Sequence, residues 1–257
     1  RQMCIRDRLD AMGGDNAPDA TIKGAIRAAK EIESEIILIG NEQVINEKIK
    51  EFYGKDKISD ITDKITIKHA QDQITMEDVP TVAIKHKKDS SMVIGFKMLK
   101  EGEGDVFISA GNSGALLTGA TLLVGRIKGI DRPAIAPMLP AYKKSFMLMD
   151  AGANTNCKPI NLVQFAQMST IYLKNTFGIE SPKIGLLNIG TEETKGNDLV
   201  KETYSILKEH GKEYGINFIG NIEGRDCFSG EVDAVITDGF TAVSYTHLRA
   251  HETLSDL

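Results

Sequence analysis

The chain has no tryptophan among its 257 residues, and aromatic side chains make up only 6% of it. A surface that stacks the bases of single-stranded nucleic acid is therefore not expected. The formal net charge of −5 also lacks the basic excess of a duplex-binding protein. Cysteines number three, Cys4, Cys157 and Cys227, scattered and with no Cys-x-x-Cys pair. That count does not describe a disulfide framework, so a reducing, cytoplasmic setting is expected. No run of about 18 apolar residues exists to form a helical membrane span. The opening residues hold no continuous apolar stretch of the secretory kind. Several motifs are missing too. There is no Gly-x-x-x-x-Gly-Lys-Ser/Thr phosphate loop, no Gly-x-Gly-x-x-Gly dinucleotide fingerprint and no Gly-x-Ser-x-Gly nucleophile elbow.

What is present is a well-balanced globular composition, 41% hydrophobic and 26% charged, with 24 glycines. The length suits one large α/β domain or two small ones. Short apolar runs at 35–40, 64–69, 105–110, 134–139, 145–150, 183–189, 216–220 and 232–237 read as strands. Amphipathic stretches between them read as helices, among them 81–101 (as one helix or two), 113–126, 161–177 and 198–210. After the first run, Asn41 is placed to cap a helix with Val44, Ile45, Ile49 and Phe52 on one face. Strand and helix alternate throughout, which predicts an α/β fold with a mostly parallel sheet and helices on both faces.

The two ends fit this pattern poorly. Three successive charges, Arg6, Asp7 and Arg8, lead into Leu9 where a buried strand should be apolar. Residues 242–257 follow a good strand without any core pattern. Residues 1–8 and 242–257 are thus expected to be a non-native leader and tail around a core of 9–241. His247 and His251 have helical metal-ligand spacing, but a lone pair in such a tail does not define a zinc site.

Six strand ends carry glycine beside short polar residues, and open parallel sheets bind ligands at the carboxyl ends of their strands. Turn-making alone explains any one such loop; six together point to a shared site. Small residues that open helices leave backbone N–H groups for an anion, most often phosphate. Gly111, Asn112, Ser113 and Gly114 form the sharpest case. Lys195 lies in a Gly/Thr/Asn loop and offers a point charge. Asp10, Asp150 and Asp238 end strands, either as a magnesium site or as acceptors for loop N–H groups. Cys157 has no histidine near it in sequence and reads as a small buried hydrophobe. His69 and His86 read as a strand-end and a surface histidine.

Taken in order, LDAMGGDNAP (9–18), KDSSM (88–92), SAGNSGALL (109–117), GRIKGIDRPAIAP (125–137), DAGANTNCKP (150–159), QFAQM (164–168), GLLNIGTEETKGND (185–198), NFIGNIEGRD (217–226) and DGFT (238–241) resemble the bacterial phosphate acyltransferase (PlsX) family. Ser113 stands where that family has threonine, which keeps the hydroxyl. The resemblance implies an α/β/α layered fold similar to phosphotransacetylases and isocitrate/isopropylmalate dehydrogenases. It also implies transfer of an acyl group from acyl carrier protein to inorganic phosphate, with no cofactor and no metal. The acyl phosphate would serve a membrane glycerol 3-phosphate acyltransferase. A homodimer, associated peripherally with the membrane when full length, is implied as well, and family members continue past the DGFT motif.

On that resemblance the catalytic expectation falls on Asn112, Lys195 and Asn154. Phosphate or substrate binding is expected of Gly13, Gly14, Asp10, Gly111, Ser113, Gly114, Thr191, Asn197 and Asp238. Two basic clusters, 85–88 and Arg126 with Lys128 and Arg132, are candidate docking points for the acidic carrier protein. Rival readings are a phosphotransacetylase acting on acyl-coenzyme A, a metal-dependent decarboxylating dehydrogenase of the same fold, and an inactive scaffold that docks carrier protein.

Overall fold

The computed structural model of the protein describes residues 6–53 and 64–243. The chain folds as two units that divide between Arg126 and Ile127. In the first, β1 (Arg6–Asp10), β2 (Glu35–Gly40), β3 (Ile65–His69) and β4 (Val106–Ile108) form a parallel sheet in the order β3-β2-β1-β4. Alternation along β2 sends Ile36 and Leu38 to one face, where they pack with Ile22 and Ile26 of α1 (Asp19–Glu31) and Ile45 and Ile49 of α2 (Glu42–Tyr53). Ile37 and Ile39 face the other way, toward Met98 of α4 (Ser91–Lys100). The short α3 (Pro80–His86) precedes α4, so the amphipathic stretch at 81–101 is indeed two helices. Asn41 caps α2 as expected, its Oδ1 accepting from the Gln43 and Val44 N–H groups at 3.1 and 3.2 Å.

The second unit holds β5 (Met138–Leu139), β6 (Phe146–Met149), β7 (Lys183–Leu187), β8 (Asn217–Ile222) and β9 (Ala234–Ile236) in the order β5-β6-β9-β7-β8. Only β5 runs antiparallel to its neighbour. Helices α6 (Pro159–Phe177) and α7 (Asp198–His210) cover one face, packing on Met147, Met149, Ile184, Leu186, Ala234 and Ile236. Phe146, Leu148, Leu187 and Val235 point to the opposite face, toward Cys227, Val232 and Ala242. Burial on both faces is what makes these strands read as continuous apolar runs.

The α/β class with mostly parallel strands is as expected, but the strands form two sheets where the sequence suggested one. Two elements also differ. The expected strand at 134–139 forms a ladder only at Met138–Leu139; Pro137, just before it, lacks the N–H a ladder needs, and Pro140 follows it. The expected helix at 113–126 is a short α5 (Ser113–Gly119) that widens into a π-helical turn over Ala120–Val124. Gly125, at φ 104°, ends it. Arg6, Asp7 and Arg8, read as leader, are the first residues of β1, and Arg8 is 3% exposed. Ala242, read as tail, packs in the second unit's core. Residues 1–5 and 244–257, with His247 and His251, lie outside the described residues.

Candidate functional site

In the first unit, the carboxyl ends of β1 and β4 adjoin, since Leu9 pairs with Ile108. Asp10 at the end of β1 is buried. Its Oδ1 accepts from the Met12 N–H at 3.1 Å, and its Oδ2 accepts from the Ser109 hydroxyl at 2.8 Å. Ser109 Oγ in turn accepts from the Gly111 N–H at 3.1 Å. The two loops therefore share one hydrogen-bond chain. The loops approach closely where they touch: a Cβ at Gly13 would lie 2.5 Å from Asp10 Oδ2, which would have to move, and one at Gly111 would lie a tight 3.2 Å from Gly13 Cα. Beside this contact lies a cavity of about 150 Å³ lined by Met12, Gly14, Thr75 and Gly111, among others.

Asn112 begins α5. Its Oδ1 accepts from the Ala115 N–H at 3.0 Å, capping the helix. Its Nδ2 donates to the carbonyls of Thr75 and Asp78 at 3.1 and 3.2 Å. The Asn112 side chain thus ties α5 to the 75–78 loop, and its donors are committed there. Ser113 is exposed, and as the first helical residues Ser113 and Gly114 have N–H groups with no intrahelical acceptor. The 75–78 loop escaped the sequence reading. The signal for it was Asp78, whose carboxylate accepts from the Thr75 N–H at 2.7 Å and pairs with Lys87 at 2.7 Å. The Lys87 and Thr75 hydrogen bonds hold the Asp78 carboxyl below the usual carboxylate range. Lys87 is consequently spent inside its own unit, whereas Lys85, His86 and Lys88 are exposed.

The second unit repeats the device. Asp150, after β6, is fully buried; its Oδ1 accepts from the Ile135 and Ala153 N–H groups, and its Oδ2 from the Asn154 N–H and Nδ2. Asn154 Nδ2 also donates to the Pro133 carbonyl at 2.8 Å, so this side chain too is built into the loop. Asp238, after β9, accepts from the Thr241 N–H and hydroxyl at 3.0 and 2.7 Å. Gly239 N–H donates to the Asn154 carbonyl at 2.8 Å, and a Cβ at Gly239 would lie 2.9 Å from Asn154 N. Asp10, Asp150 and Asp238 each serve as acceptors for loop donors, the second of the two roles the sequence left open.

The loop after β7 is held by Asn188, whose Nδ2 donates to the Lys195 carbonyl at 3.1 Å and whose Oδ1 accepts from the Ile189 N–H. Asn197 caps α7 by accepting from the Val200 N–H at 3.0 Å. Between these anchors Thr191 and Lys195 are exposed, and Lys195 enters no ion pair among the described residues. A cavity of about 500 Å³ opens here, at the carboxyl ends of β7, β8 and β9. Asn188 was missed because an asparagine at a strand end looks like any turn residue. Cys157 is half-buried, and burial, reinforced by Asp238 and Asp150, pushes its thiol up to about 11. It stays protonated near neutral pH, the opposite of an activated nucleophile.

Two mostly parallel sheets with glycine-rich loops at their strand ends belong to a known fold class. A phosphotransacetylase from Streptococcus pyogenes matches with a TM-score of 0.70 and 14% identity, covering 98% of this chain and 83% of its own. The family follows from closer likeness. The model of the fatty acid synthesis protein family matches residues 6–255, and the chain belongs to that family. A phosphate acyltransferase from Acetivibrio thermocellus is 53% identical over 234 residues, 91% of this chain and 66% of that protein. One from Thermoanaerobacterium thermosaccharolyticum is 48% identical over 236 residues, 92% and 67% of the two chains. The chain spans about two thirds of the length of these curated relatives. The resemblance drawn from the motifs is borne out. Among the described residues no helix is long and apolar enough to cross a membrane.

Proposed function

We propose that this chain transfers an acyl group from the thioester of acyl carrier protein to inorganic phosphate, giving acyl phosphate and free carrier protein for phospholipid synthesis. The observation that carries the reading is the 53% identity to a phosphate acyltransferase along 91% of the chain. In this reaction a phosphate oxygen attacks the thioester carbonyl carbon. The tetrahedral oxyanion collapses, the C–S bond breaks, and the thiolate leaves and is protonated. Phosphate is itself the nucleophile, so the chain needs no activated serine or cysteine, in keeping with the raised Cys157 thiol.

The chain's work is then positioning and charge, and positioning alone is worth roughly 7–11 kcal/mol in favourable cases. In the first unit, Gly14, Gly111 and the N–H groups of Ser113 and Gly114 cradle phosphate, with the Ser113 hydroxyl as a further donor. Asp10, Gly13 and Asn112 set the shape of that cradle. Lys195 supplies positive charge to phosphate or to the oxyanion. Thr191, in the same loop, is a further donor; Asn197 caps the helix that follows it, and Asn154 and Asp238 shape the loops after β6 and β9. In this reading the enzyme works in the cytoplasm as a homodimer at the membrane surface and passes its product to a membrane glycerol 3-phosphate acyltransferase. The test is incubation with acyl-[acyl carrier protein] and labelled phosphate. Labelled acyl phosphate and free carrier protein should appear together; label appearing only with acyl-coenzyme A would move the chain to the phosphotransacetylase reaction.

A further inference from the structure

The cavity of about 500 Å³ in the second unit has a feature that the reaction's polar chemistry does not use. Its walls include the apolar Leu162, Leu187, Val200 and Ile189 beside Asn188, Asn197, Thr237, Asp238 and Thr241, and several of those polar groups are engaged within the chain. Asn188 bonds the Ile189 N–H and the Lys195 carbonyl, Asn197 bonds the Val200 N–H, and Asp238 bonds Thr241. The greater part of the lining surface is hydrocarbon. At its mouth Ile189 is 82% exposed, an isoleucine left in water by a loop otherwise made of polar residues and glycine. The volume falls within the roughly 300–1,000 Å³ of small-ligand sites.

We infer that this cavity receives the hydrocarbon chain of the acyl group, with Ile189 as the sill over which the chain enters. The identity of the ligand as an acyl thioester rests on the acyl-transfer reading. A pantetheine arm fits less well, because amides laid against Leu162, Leu187 and Val200 would lose their hydrogen bonds to water. The carbonyl end would lie at the mouth, on the Lys195 side of Ile189, and the methylenes would run inward toward Leu162 and Val200. The cavity then acts as the chain-length gauge of the enzyme.

The test is a calorimetric titration of the protein with acyl-pantetheines from two to twelve carbons, without phosphate. Affinity should rise about four-fold per methylene, the equivalent of about 0.8 kcal/mol per buried CH₂, and then level off when the cavity is full. Val200→Trp should bring the plateau to a shorter chain. Ile189→Asp, at a residue too exposed to matter for folding, should weaken the longer chains about ten-fold and leave the two-carbon compound unchanged. Affinity independent of chain length, or an unaltered series in Ile189→Asp, would overturn the assignment. A normal series in a protein that forms no acyl phosphate would instead leave the cavity assigned and remove the acyl-transfer reading.

Discussion

Lys195 and Asn112 are both polar residues of glycine-rich loops, yet they are held in opposite ways. Lys195 is exposed and unpaired among the described residues, whereas Asn112 is 7% exposed with its amide donors committed to the 75–78 loop. Lys195→Ala should therefore leave the melting temperature unchanged while lowering turnover at least about 100-fold, the usual size for a lost oxyanion partner. Asn112→Ala should lower turnover similarly and also cost about 1 kcal/mol or more of stability in denaturant unfolding, because a helix cap goes with it. Equal melting shifts in the two variants would contradict this division. Arg8 is a third case. Its Nε and Nη1 are buried without hydrogen-bond partners among the described residues, and burial, with Arg6 nearby, lowers its affinity for a proton. Even buried ion pairs are often replaced by well-packed apolar side chains with no loss or with a gain of about 1–4 kcal/mol, and Arg8 lacks a pairing hydrogen bond among the described residues. Urea unfolding of Arg8→Leu should show a gain in that range.

At the scale of elements, the 75–78 loop is the most sensitive part of the first unit's candidate site. Three of its carbonyls take the Asn112 amide, and its own carboxylate, Asp78, is paired with Lys87. The Asp78 carboxyl is held low in the folded protein, so its contribution is fully present above the unfolded value near 4 and is lost as pH falls through the lower folded value. Asp78→Asn should flatten that acid limb in unfolding measurements from pH 5 down to pH 2 and raise the Michaelis constant for phosphate at neutral pH. Sequence patterning showed the elements themselves well: the 35–40 strand and the 198–210 helix have the expected bounds. Pattern failed where a tertiary contact decides. The helix begun at Ser113 keeps Gly119 because a Cβ there would lie 2.3 Å from the Phe96 ring, and no period in the sequence reports a ring from another helix. The strand-end glycines and aspartates were legible as candidates because their residue types are rare in apolar strands. Their partners, Ser109, Asn188 and Thr75, were not, because each is a common turn residue whose role is set by what lies across from it.

For the molecule as a whole, a net charge of −5 opposes any acidic partner, so docking must be local. With Lys87 engaged by Asp78, the exposed Lys85 and Lys88 are what the first basic cluster presents. In the second, Arg132 donates to the Asn156 carbonyl. Charge docking acts on association and is screened over about 8 Å at physiological salt. Lys85→Glu with Lys88→Glu should therefore raise the apparent Michaelis constant for carrier-bound substrate, more at low salt than at high, and leave a short pantetheine thioester almost unaffected. An equal loss on both substrates would assign these lysines to the fold. The paired loops have a different consequence, one for descent. In the first unit the β1 and β4 loops meet through Gly13, Gly111 and an Asp10–Ser109 bond between residues 99 apart; in the second, the β6 and β9 loops meet through Gly239 and Asn154. Each pair is a single heritable character written in two distant places. A crossover among related genes that falls between the two halves delivers one loop without its fitted counterpart, so viable recombinants should exchange such loops together or not at all.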